Sequence, residues 1–289
     1  MLVTDLADTG LEVIDIPSDA QFSARQLHVR DASVQLAGLQ RLARAFVDSP
    51  DTILQELVQA AVDLCGADSA GISIERESPT VHEFYEWVAT AGDYSGFLNA
   101  ILPRYPSACG VCLERGRPQR FRVSNRFFEI LGVEAPVVTD GILLPWQAAG
   151  VRGTIFVMAH GREEAFDAED TRMMQMFADF AATAFRQQRQ QRLLIDQERD
   201  AAAVAMANDL AHKINNPLQS ITNVVYLAAS NGATPEVKAL AADLEEDVGR
   251  LSGLVRDILS LPFDSARQRS QTHSLPPHPH LARAPHLSQ

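Results

Sequence analysis

The sequence predicts an α+β protein: an antiparallel sheet flanked by helices, followed by one long helix and a helical hairpin. Three observations carry this. Short, partly alternating β-rich runs cluster between residues 69 and 160. Helical periodicity brackets them on both sides. From residue 168 onward the apolar residues keep a helical spacing, with no Gly or Pro before Pro217.

Residues 1–30 show no sustained period and are expected to form a loose N-terminal arm. From Asp31, the spacing of Val34, Leu36, Leu39, Leu42 and Phe46 predicts a helix. "DSPDTILQELVQAAVDLCGAD" predicts a second, with Ser49 as N-cap, Pro50 in the first turn and Gly66 just past the end. "SAGISIE" and "EFYEWVAT" read as strands. A Gly- and Pro-punctuated stretch from Gly92 to Pro118 precedes a short strand, "QRFRV". "GILLPWQ" and "RGTIFVMAH" predict an antiparallel hairpin with Gly150 in its turn. Asp167 is the expected N-cap of the long helix, followed by acids that suit the helix dipole.

Continued from 168 to 229, that helix would be roughly 90 Å long at 1.5 Å per residue. One globular core cannot cover such a rod, so a partner helix, most simply from a second copy, is expected along its apolar stripe. Asn231-Gly232 reads as its cap, and Thr234-Pro235 as the start of the next helix. There Leu240, Leu244, Val248, Leu251, Val255 and Ile258 form a heptad seam. Two such hairpins make a four-helix bundle.

Composition narrows the classes of function. A formal net charge of -12 argues against nucleic-acid or anionic-membrane binding. The N-terminus lacks a signal-peptide pattern, no apolar run reaches membrane-spanning length, and three cysteines suit a reducing compartment. A soluble, cytoplasmic protein is expected. The segment from 263 to 289 is rich in Pro and His, without a recognisable ligand spacing, and is expected to be a disordered tail that holds no metal.

The most informative stretch is "LAHKINNPLQSI", residues 210–221. Leu210, Ile214, Leu218, Ile221 and Val225 define an apolar seam, and His212 lies about 200° from its neighbours on that seam. Periodicity alone fits a solvated polar face. Pro217, however, removes one backbone hydrogen bond and crowds the carbonyl of Lys213, a cost of roughly 3 kcal/mol beside the histidine. The stretch, with the hairpin that follows, resembles the H-box of the sensor histidine kinase family, over about residues 198–262. The resemblance implies that His212 is the phosphoacceptor, that Asn216 positions a phosphatase water, and that Pro217 and Leu218 close the motif. An imidazole near neutral pH is a suitable nucleophile for a phosphoryl group. Lys213 departs from the pattern by standing where the family has an acid. A short Pro- and His-rich segment stands where the family's ATP-binding domain is expected, so ATP is expected to act only through a partner.

Residues 32–186 resemble a GAF domain, a small-molecule sensor. The resemblance rests on "ACGVCLERGRPQRF", "LLPWQAAGVRGTIFVM" and "FDAEDTRMMQMFADFAATAF", and on their order along the chain. It implies a bound ligand of unknown identity. Cys109 and Cys112 form a Cys-x-x-Cys pair within this region. Three readings of them stand open: structural thiols, redox or ligand sensing, and thiol reductase catalysis.

The expected organisation is an arm over 1–30, a GAF domain over 31–186, a coiled-coil linker over 187–199, a dimerisation and phosphoacceptor domain over 200–262, and a tail. The expected function is two-component signal transduction by a cytoplasmic homodimer. In this reading His212 exchanges phosphate with a response regulator receiver domain, a separate kinase or an ATP-binding domain. The alternative is a non-catalytic sensor-scaffold that binds such a partner.

Overall fold

The computed structural model describes residues 8–76, 84–230 and 234–271, and the chain divides into two units between Gln190 and Gln191. The first unit holds seven strands: β1 (Leu11–Asp15), β2 (Ser69–Arg76), β3 (Phe84–Gly92), β4 (Ile101–Pro103), β5 (Gln119–Val123), β6 (Val138–Ala148) and β7 (Val151–Ala159). They form one sheet in the order β1-β5-β6-β7-β2-β3-β4, with every neighbouring pair antiparallel. The hairpin of β6 and β7 turns at Ala149 and Gly150, both at positive φ (49° and 79°), the backbone signature that suits a two-residue hairpin. Pro145 is tolerated in β6 because β5 ends opposite Leu143, so Pro145 has a paired neighbour only in β7.

The helices of this unit are α1 (Ala20–Ser23), α2 (Ala32–Asp48), α3 (Ile53–Cys65), α4 (Ala108–Arg115), α5 (Asn125–Leu131) and the start of α6 (Ala168–Ser230). Alternation along the strands builds two cores. Ile72, Ile74, Ile142, Leu144, Ile155 and Val157 face one side, where Leu57, Val58 and Ala61 of α3 and Met174, Phe177 and Ala181 of α6 cover them. Leu143, Phe156, Met158 and Phe121 face the other, beneath Cys109 and Cys112 of α4 and Phe127 and Phe128 of α5. One tryptophan sits on each side: Trp146 packs on Phe185 of α6, with ring centroids 5.4 Å apart, and Trp87 packs on Tyr94 and Phe156.

Three expectations are corrected. Residues 11–30 are not an arm: β1 pairs along β5, Phe22 is buried, and Asp19 forms a buried ion pair with Arg120 at 2.8 Å. Ser49 does not cap α3. Its amide bonds the carbonyl of Ala45, so it finishes α2, and α3 begins only after Thr52. The backbone of α7 (Pro235–Gln271) runs past 262, through Pro262 itself and then the Gly- and Pro-free run "SARQRSQ". Gly66 closes α3 in the left-handed conformation, as expected.

The second unit consists of α6 from Gln191 onward and α7, which opens at Pro235. Val225, Ala241 and Val248 are buried and Leu218 is half-buried. Leu210, Ile214, Ile221, Leu240, Leu244 and Leu251 of the seams stay exposed in the single chain. The Asn231-Gly232 cap, the side chain of Ile258 and residues 272–289 lie outside the described residues. No helix among the described residues is long and apolar enough to cross a membrane.

If residues 11–30 are integral to the sheet, Arg120→Ala, which leaves Asp19 buried and unpaired, destabilises the first unit by about 3–5 kcal/mol. Urea denaturation measures this; a loss under about 1 kcal/mol would return the segment to the status of an arm.

Candidate functional site

α6 stays helical through Pro217 and carries His212, Asn216 and Pro217 exposed to solvent, with Leu218 half-buried. At 100° per residue, Asp209, His212, Lys213 and Asn216 fall within an arc of about 100° on one side of the helix. Lys213 Nζ donates to Asp209 Oδ2 at 2.8 Å, a pair one turn apart and largely exposed. The residue following His212 is therefore an ion-paired cation. A cation there can favour negative charge arriving on the imidazole but cannot take a proton from it. Because the seam residues of α6 are exposed too, burial in one chain does not distinguish the polar strip from the seam.

Cys109 and Cys112 do come together, on the first turns of α4. Ser107 caps this helix, its side chain accepting from the amide of Gly110. Both thiols are free and buried against the sheet. Thr154 Oγ1 donates to Cys109 Sγ at 3.3 Å and lies 2.8 Å from Ser73 Oγ, giving a small polar chain inside an apolar core. Burial pushes the Cys109 thiol up, against the hydrogen bonds from Ser73 and Thr154. Burial and the neighbouring Cys109 push Cys112 well up. Neither thiol is poised as a thiolate, and reductase catalysis loses its physical basis. Among the described residues, neither joins a cluster of three metal-ligating side chains.

The same face holds an aromatic group that the sequence reading did not single out. Trp87 stacks on Tyr94 at 5.9 Å, and Tyr94 stacks on His160 at 4.9 Å. His160 Nδ1 meets the carbonyl of Val137 at 2.9 Å, which fixes Nδ1 as donor and leaves Nε2 to accept from Ser69 Oγ at 2.7 Å. Ser69 Oγ also accepts from the amide of Tyr94 and is fully buried, so this serine–histidine pair is closed and structural. The indole N–H of Trp87 is buried without a hydrogen-bond partner among the described residues, a situation that costs about 1–3 kcal/mol.

A second cluster joins residues 25–30 to the head of α6. Asp167 Oδ1 accepts from the amides of Glu169 and Asp170, and Asp170 Oδ2 accepts from the amide of Asp167, a reciprocal helix cap. His28 and Arg30 take the remaining carboxylate positions. Burial pushes Asp167 up, but the amides of His28, Asp170 and Glu169 outweigh it and hold the carboxyl below its usual range. Burial, opposed by Arg30, raises Asp170. His28, Asp167 and Asp170 bring three ligand atoms within 4.8 Å of one another. Those atoms already serve amides and cations, and Arg30 opposes a metal ion.

Residues 47–186 match the GAF domain family, and the sheet with its flanking helices is GAF-type. Among solved structures, the GAF domain of an Acinetobacter phosphoenolpyruvate-protein phosphotransferase is 15% identical, with a TM-score of 0.42, covering 53% of this chain and 93% of that one. The phycoerythrobilin-bound GAF domain of a cyanobacterial phytochrome is 14% identical, with a TM-score of 0.42, covering 56% and 100%. The GAF domain of a phosphoenolpyruvate-protein phosphotransferase from Coxiella burnetii is 18% identical, with a TM-score of 0.41, covering 55% and 98%.

Cys65, Cys109 and Cys112 should resist a thiol-specific chromogenic reagent at pH 8 in the native protein, and all three should react in guanidinium chloride. Rapid native labelling of Cys109 or Cys112 would restore a redox role.

Proposed function

We propose that this protein is a cytoplasmic two-component signalling dimer in which a GAF sensor controls a phosphotransfer face centred on His212. The observation that carries the reading is the continuity of α6: one helix begins with its apolar side on the sheet and, without a loop, presents His212 and Asn216 to solvent. A twist or shift at its head can reach His212 along a rigid element. The exposed seam of Leu210, Ile214, Ile221, Leu240, Leu244 and Leu251 supports a second copy completing a four-helix bundle.

The sensor ligand belongs on the α4 and α5 side of the sheet. The unpartnered Trp87 N–H favours a guest bearing a hydrogen-bond acceptor, and the Trp87, Tyr94 and Phe97 rings favour a planar one. The phosphoryl group passes between His212 and a receiver domain, or comes from ATP held by a partner.

The Asp209–Lys213 pair supports a second reading, a sensor-scaffold whose bundle binds a kinase or receiver without phosphotransfer. The two separate in one experiment. The protein is incubated with phosphorylated receiver domains, and with a kinase ATP-binding domain plus ATP. Acid-labile phosphate is then sought on His212 by mass spectrometry. Phosphotransfer predicts label that falls to background in His212→Gln. Absence of label, with dimerisation and receiver binding intact, leaves the scaffold; absence of binding as well overturns both.

Helix-borne control makes its own prediction. One residue inserted after Gln190 rotates everything beyond it by about 100° and should abolish ligand control of the partner, whereas seven residues restore the phase to within about 20°. Equal control in both insertions would sink the mechanism.

A further inference from the structure

Residues 25–30 are held in an unusual way. Residues 26–30 lie in no helix or strand, and their apolar members face outward: Val29 is fully exposed and Leu27 is 55% exposed. The inward side chains are the polar ones. Arg25, its side chain 5% exposed, donates to both oxygens of the fully buried Asp140 at 2.6 and 3.1 Å, and to the carbonyl of Phe166 at 2.6 Å. The amide of His28 meets Asp167 Oδ2 at 2.5 Å, and its Nδ1 meets the same oxygen at 2.9 Å. Arg30 donates to both oxygens of Asp170, at 3.0 and 3.1 Å, and to the carbonyl of Cys65 at 2.7 Å. Asp140 Oδ2 in turn accepts from the amide of Phe166.

This inverts the ordinary rule of burial. A segment fixed by its apolar residues can be released only by unfolding the core beneath it; one fixed by charge can be released by changing a charge. Arg25 and Arg30 carry fixed guanidinium charges, whereas the third tie is an imidazole, the side-chain type whose charge follows protonation, and the His28 side chain is 40% exposed to solvent. The charged groups that face it are Asp167 and Asp170 on α6, and Arg30 of its own segment bonds the same Asp170 and the carbonyl of Cys65 at the end of α3.

We propose that residues 25–30 form a charge-held latch on the first turn of α6, tightened when His28 is protonated and loosened when it is neutral. Loosening withdraws the strap from Asp167 and Asp170, so the head of the helix keeps only its own reciprocal cap. The latch lies outside the 47–186 match, and it acts on the helix whether or not His212 carries phosphate.

The test is amide hydrogen exchange of the full chain at pH 5.5 and pH 8, expressed as protection relative to intrinsic rates. Protection of 26–31 and of 168–171 should fall together by about fivefold or more at the higher pH, the size expected for losing charge assistance in a hydrogen bond. His28→Ala, a partly exposed position, should remove the pH dependence and leave both segments at the low value, with β2 and β7 still protected. Flat wild-type protection would overturn the latch. So would a pH response that survives His28→Ala, or one confined to 26–31. Loss of protection across β2 and β7 in the variant would also overturn it, by showing that His28 holds the whole fold.

Discussion

The first unit is organised around the contact between the first turns of α6 and the sheet. Met174, Phe177, Ala178, Ala181 and Ala184 are all nearly inaccessible to solvent, and they step at helical spacing along one side. Three of the five are alanine, which lets the helix axis approach the strands closely and fixes its rotation. Beyond Phe185 the helix exposes Leu193, Leu194 and Ile195, so this apolar contact ends with the first unit.

Charge supplies what apolar packing does not. Asp19, Asp140, Asp167 and Asp170 are all buried, and each answers to an arginine, a histidine or backbone amides. Such pairs add little net stability compared with apolar replacements, but removing one partner is expensive. Their effect is on position: they hold residues 11–30 and the head of α6 to one arrangement, which apolar surfaces alone would leave free to slide.

Much of this architecture was legible in the sequence where the signal is local. The β6–β7 hairpin announces itself through alternation and Gly150, and the head of α6 through Asp167 and the acids after it. The N-terminal strand was illegible because its partners are far away: Leu11 pairs with Val123, and Asp19 with Arg120. α4 is too short for periodicity to register, although Ser107 and Gly116 bracket it as cap residues. For the site, the spacing of Cys109 and Cys112 was visible, but their burial depends on Thr154 and Leu143, strands away in sequence. The strip around His212 followed from helical spacing; the strap at His28 had no motif to betray it.

The placement of the two tryptophans has a practical consequence. Trp146 lies against Phe185 on the side of the exit helix, and Trp87 lies among Tyr94, Phe97 and Phe156 on the opposite side. With only two indoles in the chain, replacing either leaves a single emitter on a known side of the sheet. The protein thus contains its own pair of optical reporters, one on each face of the sheet. After rapid mixing with a candidate ligand, the order in which the two respond tells which face is perturbed first.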